Sequence, residues 1–361
     1  MSSNNYNPDF EILQDTKNGK DNNWKERKES TLDLAASYKR IGSNKYYRVL
    51  DCSTFLEFRL TTVNDLKLTN ANFCKVRLCP MCSWRRSLKI FGQVSKVMDH
   101  VEENYNYRYI FLTLTVKNCY GKDLRDTLDL MTKAFNKMNQ RKVFKQAIKG
   151  YFRSLEVTFD KDEFITDEMY LKRINYYSSV GLKVGDKNPN FEKYHPHFHM
   201  ILAVNKSYFK NTDTYLTQKD WTNLWKSSLK VDYTPIVDVR RIRADDNKGF
   251  GKAVAETAKY TVKAEDFLIK DEKGEIQESL TDEVVETLDR ALHRKRLTAF
   301  GFVFKEIHKK LNLDDAEDGD LTNTDNEELR EDLTNIILRY QWNIGIKNYV
   351  LVEVSEDDTE K

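Results

Sequence analysis

Three histidines lie within five consecutive residues, in the segment His-Pro-His-Phe-His at 195–199. The chain of 361 residues has only six histidines, so half of them lie in this segment. In a β-strand alternate side chains point to the same face, which places His195, His197 and His199 side by side, with neighbours about 6–7 Å apart. Neutral imidazoles at that spacing can bind one divalent cation. The alternative is a set of half-buried histidines hydrogen-bonded to backbone carbonyls.

A carboxylate is expected beside these histidines, because Mg²⁺ and Mn²⁺ prefer oxygen ligands. Glu156 lies in the apolar segment Arg-Ser-Leu-Glu-Val-Thr-Phe, where an unpaired charge would be costly. If this segment forms a strand next to the histidine strand, Glu156 completes a metal site with His197 and His199. Two alternatives stay open: His195 as the third ligand, and Glu156 as an edge-strand residue that faces water.

A possible nucleophile and a possible base share a helix predicted at about 251–267. Glu256 and Tyr260 are four residues apart and therefore lie on one helix face, with Lys259 and Lys263 nearby. A phenol with a pKa of about 10 is a weak nucleophile at neutral pH, and nearby cations favour its phenolate and can hold a phosphate. Glu256 could act as the general base of a second step. Alone, the segment also fits an ordinary amphipathic helix.

Four cysteines have the spacing of a structural zinc site. Cys79 and Cys82 are separated by two residues, Cys74 lies five positions before Cys79, and Cys52 lies further upstream. Four thiolates form a closed tetrahedral Zn²⁺ site, which is structural rather than catalytic. Buried free thiols are the alternative. The fifth cysteine, Cys119, is predicted to bind no metal.

The charge of the chain is unevenly distributed. The net charge is +2, but residues 313–361 carry 15 acidic and four basic residues, which leaves +13 for residues 1–312. A basic body favours a polyanionic partner such as DNA. Arg85 and Arg86, which follow the cysteines, are predicted to contact phosphate together with Lys259 and Lys263. Alternatively, the two arginines only begin a helix.

The elements that must position these residues are mixed in type. Apolar periodicity predicts helices at 83–103, 122–148, 216–229, 251–267 and 281–295. Strands are predicted at 109–116, 150–159, 195–204, 235–243 and 347–354, with further extended pieces at 46–52 and 55–63. This mixture favours an α+β fold, in which helices pack on the faces of a sheet.

Four segments are predicted along the chain. Residues 1–44 are polar and read as a mobile arm with a short helix near 32–38. Residues 45–103 form the cysteine-rich element and a basic helix, residues 104–312 carry the histidine and tyrosine clusters, and residues 313–361 form an acidic tail with a terminal strand. The chain has no apolar run of about 18 residues and no signal-like N-terminus, so we expect a cytoplasmic protein without a membrane partner.

Four motifs occur in an order that resembles the HUH endonuclease replication initiators. They are CKVRLCPMCSWRR at 74–86, FLTLTV at 111–116, HPHFHMILAV at 195–204 and ETAKYTVK at 256–263. More narrowly, they resemble the Rep proteins of small rolling-circle plasmids of Gram-positive bacteria. The similarity covers roughly residues 45–310.

The resemblance implies a central antiparallel sheet with the HUH strand in its middle. It implies that His197 and His199 bind the metal, and that Tyr260 attacks a phosphodiester at the plasmid's double-strand origin. The enzyme would stay on the 5′ phosphate and leave a free 3′-OH, and Glu256 would assist water in the terminating cleavage. The expected partners are a stem-loop origin DNA that is single-stranded at the nick, a host helicase and a second copy of the chain.

Two other classes of function remain as alternatives. A conjugative relaxase or a single-tyrosine transposase would share the chemistry, although the cysteine cluster and Glu256 argue against both. A non-catalytic, zinc-containing DNA-binding protein would use its histidines only as core residues.

Overall fold

The chain divides into two compact units. The computed structural model describes residues 11–17, 20–210, 213–242, 254, 255, 257, 262–324 and 333–356. The cysteine unit comprises Met1–Gly92 and Asp314–Lys361, and the histidine unit comprises Gln93–Leu313. Within the described ranges, no helix is long and apolar enough to cross a membrane.

The cysteine unit combines helices with a small sheet. Its elements are β1 (Thr16–Lys17), β2 (Lys20–Asp21), α1 (Trp24–Arg40), α2 (Tyr46–Asp51), β3 (Phe55–Thr61), β4 (Leu66–Ala71), the first part of α3 (Pro80–Asn104), β10 (Leu333–Asn343) and β11 (Asn348–Glu356). Four strands pair antiparallel in the order β11-β10-β3-β4. The C-terminal strands therefore complete a sheet that begins near residue 55.

Residues 24–40, predicted as part of a mobile arm with only a short helix near 32–38, form the helix α1 throughout. Trp24, Leu34 and Tyr38 are buried, and the Trp24 ring meets Phe58 edge-on at 5.7 Å and Trp84 at 4.8 Å. Lysine and glutamate on the other positions of α1 hide this narrow apolar face in the sequence. Residues 46–51, predicted as extended, also form a helix, α2, because tertiary packing overrides the strand preference of their aromatic and β-branched side chains.

The predicted separate acidic tail is instead part of the cysteine unit. Its first segment, 314–324, packs along α3: the Lys89 ammonium lies 2.8 Å from Asp314 and the Arg77 guanidinium 3.1 Å from Glu317. Its last residues form β10 and β11. The units divide at 92/93 and at 313/314, so the division predicted at 312 lies close to a boundary of the units, those at 44 and 103 do not, and both ends of the chain form one unit.

The histidine unit is an α+β domain. Its elements after α3 are β5 (Tyr107–Thr115), α4 (Gly121–Gln140), α5 (Lys142–Ala147), β6 (Ile148–Phe159), α6 (Asp167–Lys172), α7 (Ile174–Ser179), β7 (Tyr194–Asn205), α8 (Gln218–Leu229), β8 (Val237–Ile242), a 3₁₀ turn (Ala264–Asp266), α9 (Glu278–Leu292), β9 (Thr298–Phe302) and α10 (Val303–Lys310). Five strands pair antiparallel in the order β8-β5-β7-β6-β9. The antiparallel sheet and the central position of the histidine strand, β7, are thus confirmed.

Helices cover the sheet face opposite the histidines. The amphipathic helix α4 turns Leu124, Leu128, Met131, Phe135 and Met138 inward at intervals of three or four residues. Phe198 is fully buried on this face, with ring centroids 6.0 Å from Phe135 and 6.4 Å from Trp225 of α8. This packing fixes the side of β7 from which the histidines project.

Substitution of Leu34 tests whether α1 is structural. Leu34→Ala would leave a cavity in the core of the cysteine unit, so we expect the free energy of unfolding to fall by about 2–5 kcal/mol. Urea unfolding followed by circular dichroism measures the change. Lys39→Ala, at an exposed position of the same helix, is the control. Equal stability of the two variants would restore the mobile-arm interpretation.

Candidate functional site

Strand register brings the candidate metal ligands together. In the antiparallel pair of β6 and β7, Glu156 lies directly opposite His197. In the pair of β5 and β7, Thr113 lies opposite His199 and Thr115 opposite His197. Directly opposed residues place their side chains on the same face of the sheet. The predicted neighbourhood of Glu156 and the two histidines therefore exists.

Three ligand atoms converge on one point. His197 Nε2 and His199 Nε2 are 3.1 Å apart, and Glu156 Oε2 lies 3.4 Å from the first and 3.1 Å from the second. Glu156 and His197 are buried, and His199 is nearly so. Adjacent ligands at about 2.1 Å from a common octahedral ion would be about 3 Å apart. The spacing therefore fits a single divalent cation.

The surrounding hydrogen bonds orient the two imidazoles. His197 Nδ1–H donates to the backbone carbonyl of His195 at 3.1 Å, which leaves Nε2 of a neutral ring as a lone-pair acceptor. His199 Nδ1 is hydrogen-bonded to the Thr113 hydroxyl at 3.1 Å. Such partners on the second nitrogen are typical of metal-binding histidines.

The charge state of Glu156 also favours a cation. Burial by itself raises the pKa of this carboxyl, but N–H donation and positive charge from His197 and His199, when these rings carry a proton on Nε2, hold the pKa well below the ordinary value. An ionised carboxylate and two imidazole lone pairs repel one another unless a proton or a cation lies between them. This convergence of acceptors is the main physical indication of a metal site.

The other candidate ligand, His195, is oriented differently. Its ring centroid lies 4.9 Å from that of His197, as alternation along a strand predicts. Its Nδ1–H donates to Asn118 Oδ1 at 2.6 Å, and burial, followed by the charge of His197, lowers its pKa to about 3. Among the described residues, the group of converging ligand atoms contains Glu156 and not His195.

A second set of ligand atoms lies in the cysteine unit. Cys52 Sγ is 3.6 Å from Cys82 Sγ and from Cys79 Sγ, and Cys74 Sγ is 3.7 Å from Cys82 Sγ. All four thiols are free and buried. Sulfur atoms about 2.3 Å from a tetrahedral Zn²⁺ would be about 3.8 Å apart. The predicted four-cysteine cluster therefore has the dimensions of a zinc site.

The residues around the cysteines support negative charge on sulfur. The backbone N–H groups of Cys74 and Val76 point at Cys52 Sγ and Cys74 Sγ, each at 3.4 Å. The buried Lys28 ammonium donates to the carbonyl oxygens of Leu50 and Cys52, at 2.9 and 2.6 Å. Donors and a fixed positive charge stabilise thiolates, which are the form that binds metal.

The structure does not support DNA contacts by Arg85 and Arg86, so this expectation is corrected. Both are buried in the cysteine unit: Arg85 donates to the carbonyls of Leu321 and Thr322 at 2.8 and 2.7 Å, and Arg86 donates to the carbonyl of Glu317 at 3.0 Å. Their guanidinium groups therefore bind the first part of the acidic segment and are not presented to a phosphate.

The predicted tyrosine helix is only partly described. Glu256, Lys259 and Tyr260 lie outside the described residues. Lys263 is described: its ammonium lies 3.6 Å from Glu265, and its backbone N–H donates to Asp266 Oδ2 at 3.2 Å.

Sequence reasoning missed three residues near the histidine site. Thr113 and Asn118 bind His199 and His195, and Asp266 lies within electrostatic reach of Glu156. Burial raises the pKa of Asp266 to about 6, the Lys263 N–H and ammonium oppose this shift, and the charge of Glu156 adds to it. Thr113 could have been found from strand pairing. Asp266 is brought near the site only by tertiary structure, so no local sequence pattern predicts it.

These features define a class of protein. It is an α+β protein with one candidate cation site on the middle strands of a five-stranded antiparallel sheet and another in a four-cysteine cluster. The profile of a family described as "Replication protein" matches residues 65–350, and the chain belongs to this family. The resemblance to the Rep initiators is thereby confirmed.

Individual relatives agree with this family. The chain is 37% identical to a "Protein rep" of Bacillus amyloliquefaciens, over 95% of this chain and 98% of the relative. It is 36% identical to a "Protein rep" of Streptococcus pneumoniae serotype 2, over 95% of this chain and 96% of the relative. A "Replication protein" of Staphylococcus aureus is 36% identical over 71% of this chain and 96% of its own length. The comparison with solved structures found no match.

The half-buried Asp266 predicts a pH-dependent stability. Its folded pKa of about 6 lies above the ordinary 3.8, so its stabilising contribution is fully present below pH 3.8 and is lost as the pH rises through 6. Asp266→Asn removes this loss. We expect urea unfolding to show the variant gaining stability relative to wild type between pH 4 and pH 7, by up to about 3 kcal/mol. Glu265→Gln, at an exposed neighbour, is the control, and a pH-independent difference for Asp266→Asn would contradict the assignment.

Proposed function

We propose that this protein initiates rolling-circle replication of a plasmid by nicking one strand of the origin DNA. The observation that carries the proposal is the convergence of Glu156, His197 and His199 on one point of the central strands, in a chain of the replication protein family. The names of its relatives, "Protein rep" and "Replication protein", support a role in replication. A host helicase and a second copy of the chain are proposed as further partners.

In this proposal Glu156, His197 and His199 hold Mg²⁺ or Mn²⁺. A divalent cation at this place would withdraw negative charge from a phosphate oxygen of the bound DNA. The β6–β7 register holds the carboxylate against the imidazoles, and the contacts of His197 with the His195 carbonyl and of His199 with Thr113 keep the rings in place. These residues would therefore hold the cation that orients the scissile phosphate. They need not themselves accept a proton.

Tyr260 is the proposed nucleophile. Its phenol loses a proton, its oxygen bonds to phosphorus, and the bond from phosphorus to the 3′ oxygen breaks; that oxygen takes up a proton and becomes a free 3′-OH. The 5′ phosphate stays on Tyr260, which conserves the phosphodiester for later rejoining. Lys259 and Lys263 favour the phenolate, and Glu256, four residues before Tyr260 in the sequence, activates water for the terminating cleavage.

A covalent-adduct assay tests this function. Labelled single-stranded oligonucleotides, tiled across the replicon that carries the gene, are incubated with the full chain and Mn²⁺ and resolved on a denaturing gel. We expect one oligonucleotide to become attached to the protein. Tyr260→Phe should abolish the adduct because the nucleophilic oxygen is gone, and Glu156→Gln or EDTA should strongly reduce it.

The exposed Tyr105 supplies a control, because Tyr105→Phe should leave the adduct intact. An adduct that persists in Tyr260→Phe would remove Tyr260 from the mechanism. Absence of any adduct with wild-type protein would favour the non-catalytic DNA-binding alternative.

We further propose that Cys52, Cys74, Cys79 and Cys82 hold a structural Zn²⁺. Their sulfur spacing and the surrounding N–H groups support this assignment. Metal analysis of protein purified without chelator should find about one zinc per chain. Cys82→Ser should lose the zinc and melt at a lower temperature, while Cys119→Ser, outside the cluster, should keep it. If the wild-type protein contains no zinc and is equally stable without it, the zinc proposal is wrong and the four cysteines are ordinary buried thiols of the core.

A further inference from the structure

A groove with a volume of about 770 Å³ opens on the histidine unit beside the candidate metal site. Its walls are formed by residues 115–118 at the end of β5, residues 172–174 between α6 and α7 with Tyr176 of α7, and residues 233–236 before β8, and His195 also lines it. The volume lies in the range of ligand-binding clefts, about 300–1,000 Å³. Because His195 stacks beside His197, a molecule in this groove lies next to the proposed cation site.

The groove is strongly basic. The described residues that line it include no aspartate or glutamate, and they include five cations: Lys117, Lys172, Arg173, Lys193 and Arg240. A concave surface of one charge sign attracts the opposite charge over a distance. A polyanion is therefore the favoured occupant.

Two of these cations have carboxylate partners that a phosphate could replace. Lys172 lies 2.6 Å from Glu168, with both side chains at least 70% exposed, and Arg240 lies 2.7 Å from Asp238. Exposed ion pairs are worth only about 0–1 kcal/mol, so exchanging the carboxylate for a phosphate costs little. Lys117, two residues after the end of β5, is exposed, and no ion pair with a carboxylate is seen for it within the described part of the chain.

The groove also presents aromatic and apolar side chains. Tyr176 is 40% exposed, and its ring packs against the buried Tyr177 at 5.3 Å. Tyr233 is half-buried, and its hydroxyl accepts a hydrogen bond from the Lys117 N–H at 3.1 Å, which fixes the ring at the wall. Ile236 is 68% exposed beside it. Aromatic rings among cations are the features that bind unpaired bases of single strands.

Polar side chains connect the groove to the histidine strand. Asn118 accepts from His195 Nδ1–H at 2.6 Å and donates to Asn190 Oδ1 at 3.0 Å, and all three residues line the groove. This chain of hydrogen bonds holds the floor in place relative to β7. A bound nucleotide would thus have a fixed position relative to Glu156, His197 and His199.

We propose that this groove binds unpaired nucleotides of the DNA strand that is cut, next to the scissile phosphate. Tyr176 and Tyr233 stack on bases, and Lys117, Arg173 and Lys193 hold phosphates. The proposal rests on the proposed nicking function for the identity of the strand, but binding of single-stranded DNA by the groove is testable without cleavage.

Fluorescence anisotropy with a labelled oligo(dT) of about 12 nucleotides, in EDTA, measures binding to the full chain in the absence of cleavage. Tyr176→Ala and Tyr233→Leu should each weaken binding about fivefold or more, which is the effect of losing one stacked base. Tyr176→Phe keeps the ring and should bind as wild type does, and Tyr233→Phe, which keeps the ring but loses the hydrogen bond from the Lys117 N–H, should bind more tightly than Tyr233→Leu. A duplex of the same length should lose much less affinity with the two ring-removing variants, because its bases are already stacked.

The charge component is tested with Lys117→Gln/Arg173→Gln/Lys193→Gln. Removal of three phosphate contacts should reduce the slope of log affinity against log salt by about 2. The matched control is Lys133→Gln/Lys137→Gln/Lys145→Gln, which removes three charges from α4 and α5 and should leave the slope unchanged. Of these two helices, α4 packs on the Phe198 face, away from the histidines.

The two proposals fail in different ways. Wild-type affinity for oligo(dT) in the ring-removing and groove-charge variants would overturn the groove, even if the covalent adduct forms normally. An equal loss of single-stranded and duplex binding in Tyr176→Ala and Tyr233→Leu would also overturn it. Selective loss of single-stranded binding, in a wild-type protein that forms no adduct, would support the groove and reject the nicking function.

Discussion

The mutual repulsion of three acceptor atoms is the constraint on which the histidine unit depends. Glu156 Oε2 and the Nε2 atoms of His197 and His199 lie within 3.1–3.4 Å of one another, so their lone pairs repel when no proton or cation lies between them. Such an arrangement is stable only if the backbone holds it and positive charge offsets it. The position of β7 between β5 and β6, with Phe198 anchored on the other face, supplies the first condition. The proposed divalent cation supplies the second.

The cysteine unit must also accommodate buried charges, but here the charges are positive. Arg85, Arg86 and Lys89 are at most 4% exposed, and buried cations need acceptors. The segment 314–324 provides them, largely through backbone carbonyls, and Asp314 adds a carboxylate to Lys89. The backbone of this acidic segment, together with the Asp314 carboxylate, therefore takes part in folding. The arrangement also explains why both ends of the chain belong to one unit.

The sequence allowed confident prediction of the elements with strong periodicity. The strands β5, β6 and β7 lie close to their predicted bounds because each has a long apolar pattern, whereas the helix predicted at 122–148 is interrupted at Arg141 and forms α4 and α5. The placement of Glu156 opposite His197 could only be stated conditionally, since it depends on which strands pair. Only the part of α1 near 32–38 was predicted as helix, because charged residues surround its apolar face. The role of Arg85 could not be predicted because its acceptor, the Leu321 carbonyl, lies 236 residues away in the chain.

Direct binding of Mn²⁺ tests the central claim, which is that Glu156, His197 and His199 hold a divalent cation. Electron paramagnetic resonance of free Mn²⁺, titrated with the full chain, counts bound ions without relying on DNA or cleavage. We predict a Mn²⁺ site in the wild-type protein that is lost in His197→Ala and in Glu156→Gln, and that is kept in Cys119→Ser. Equal Mn²⁺ binding by wild type and by both ligand variants would contradict the account.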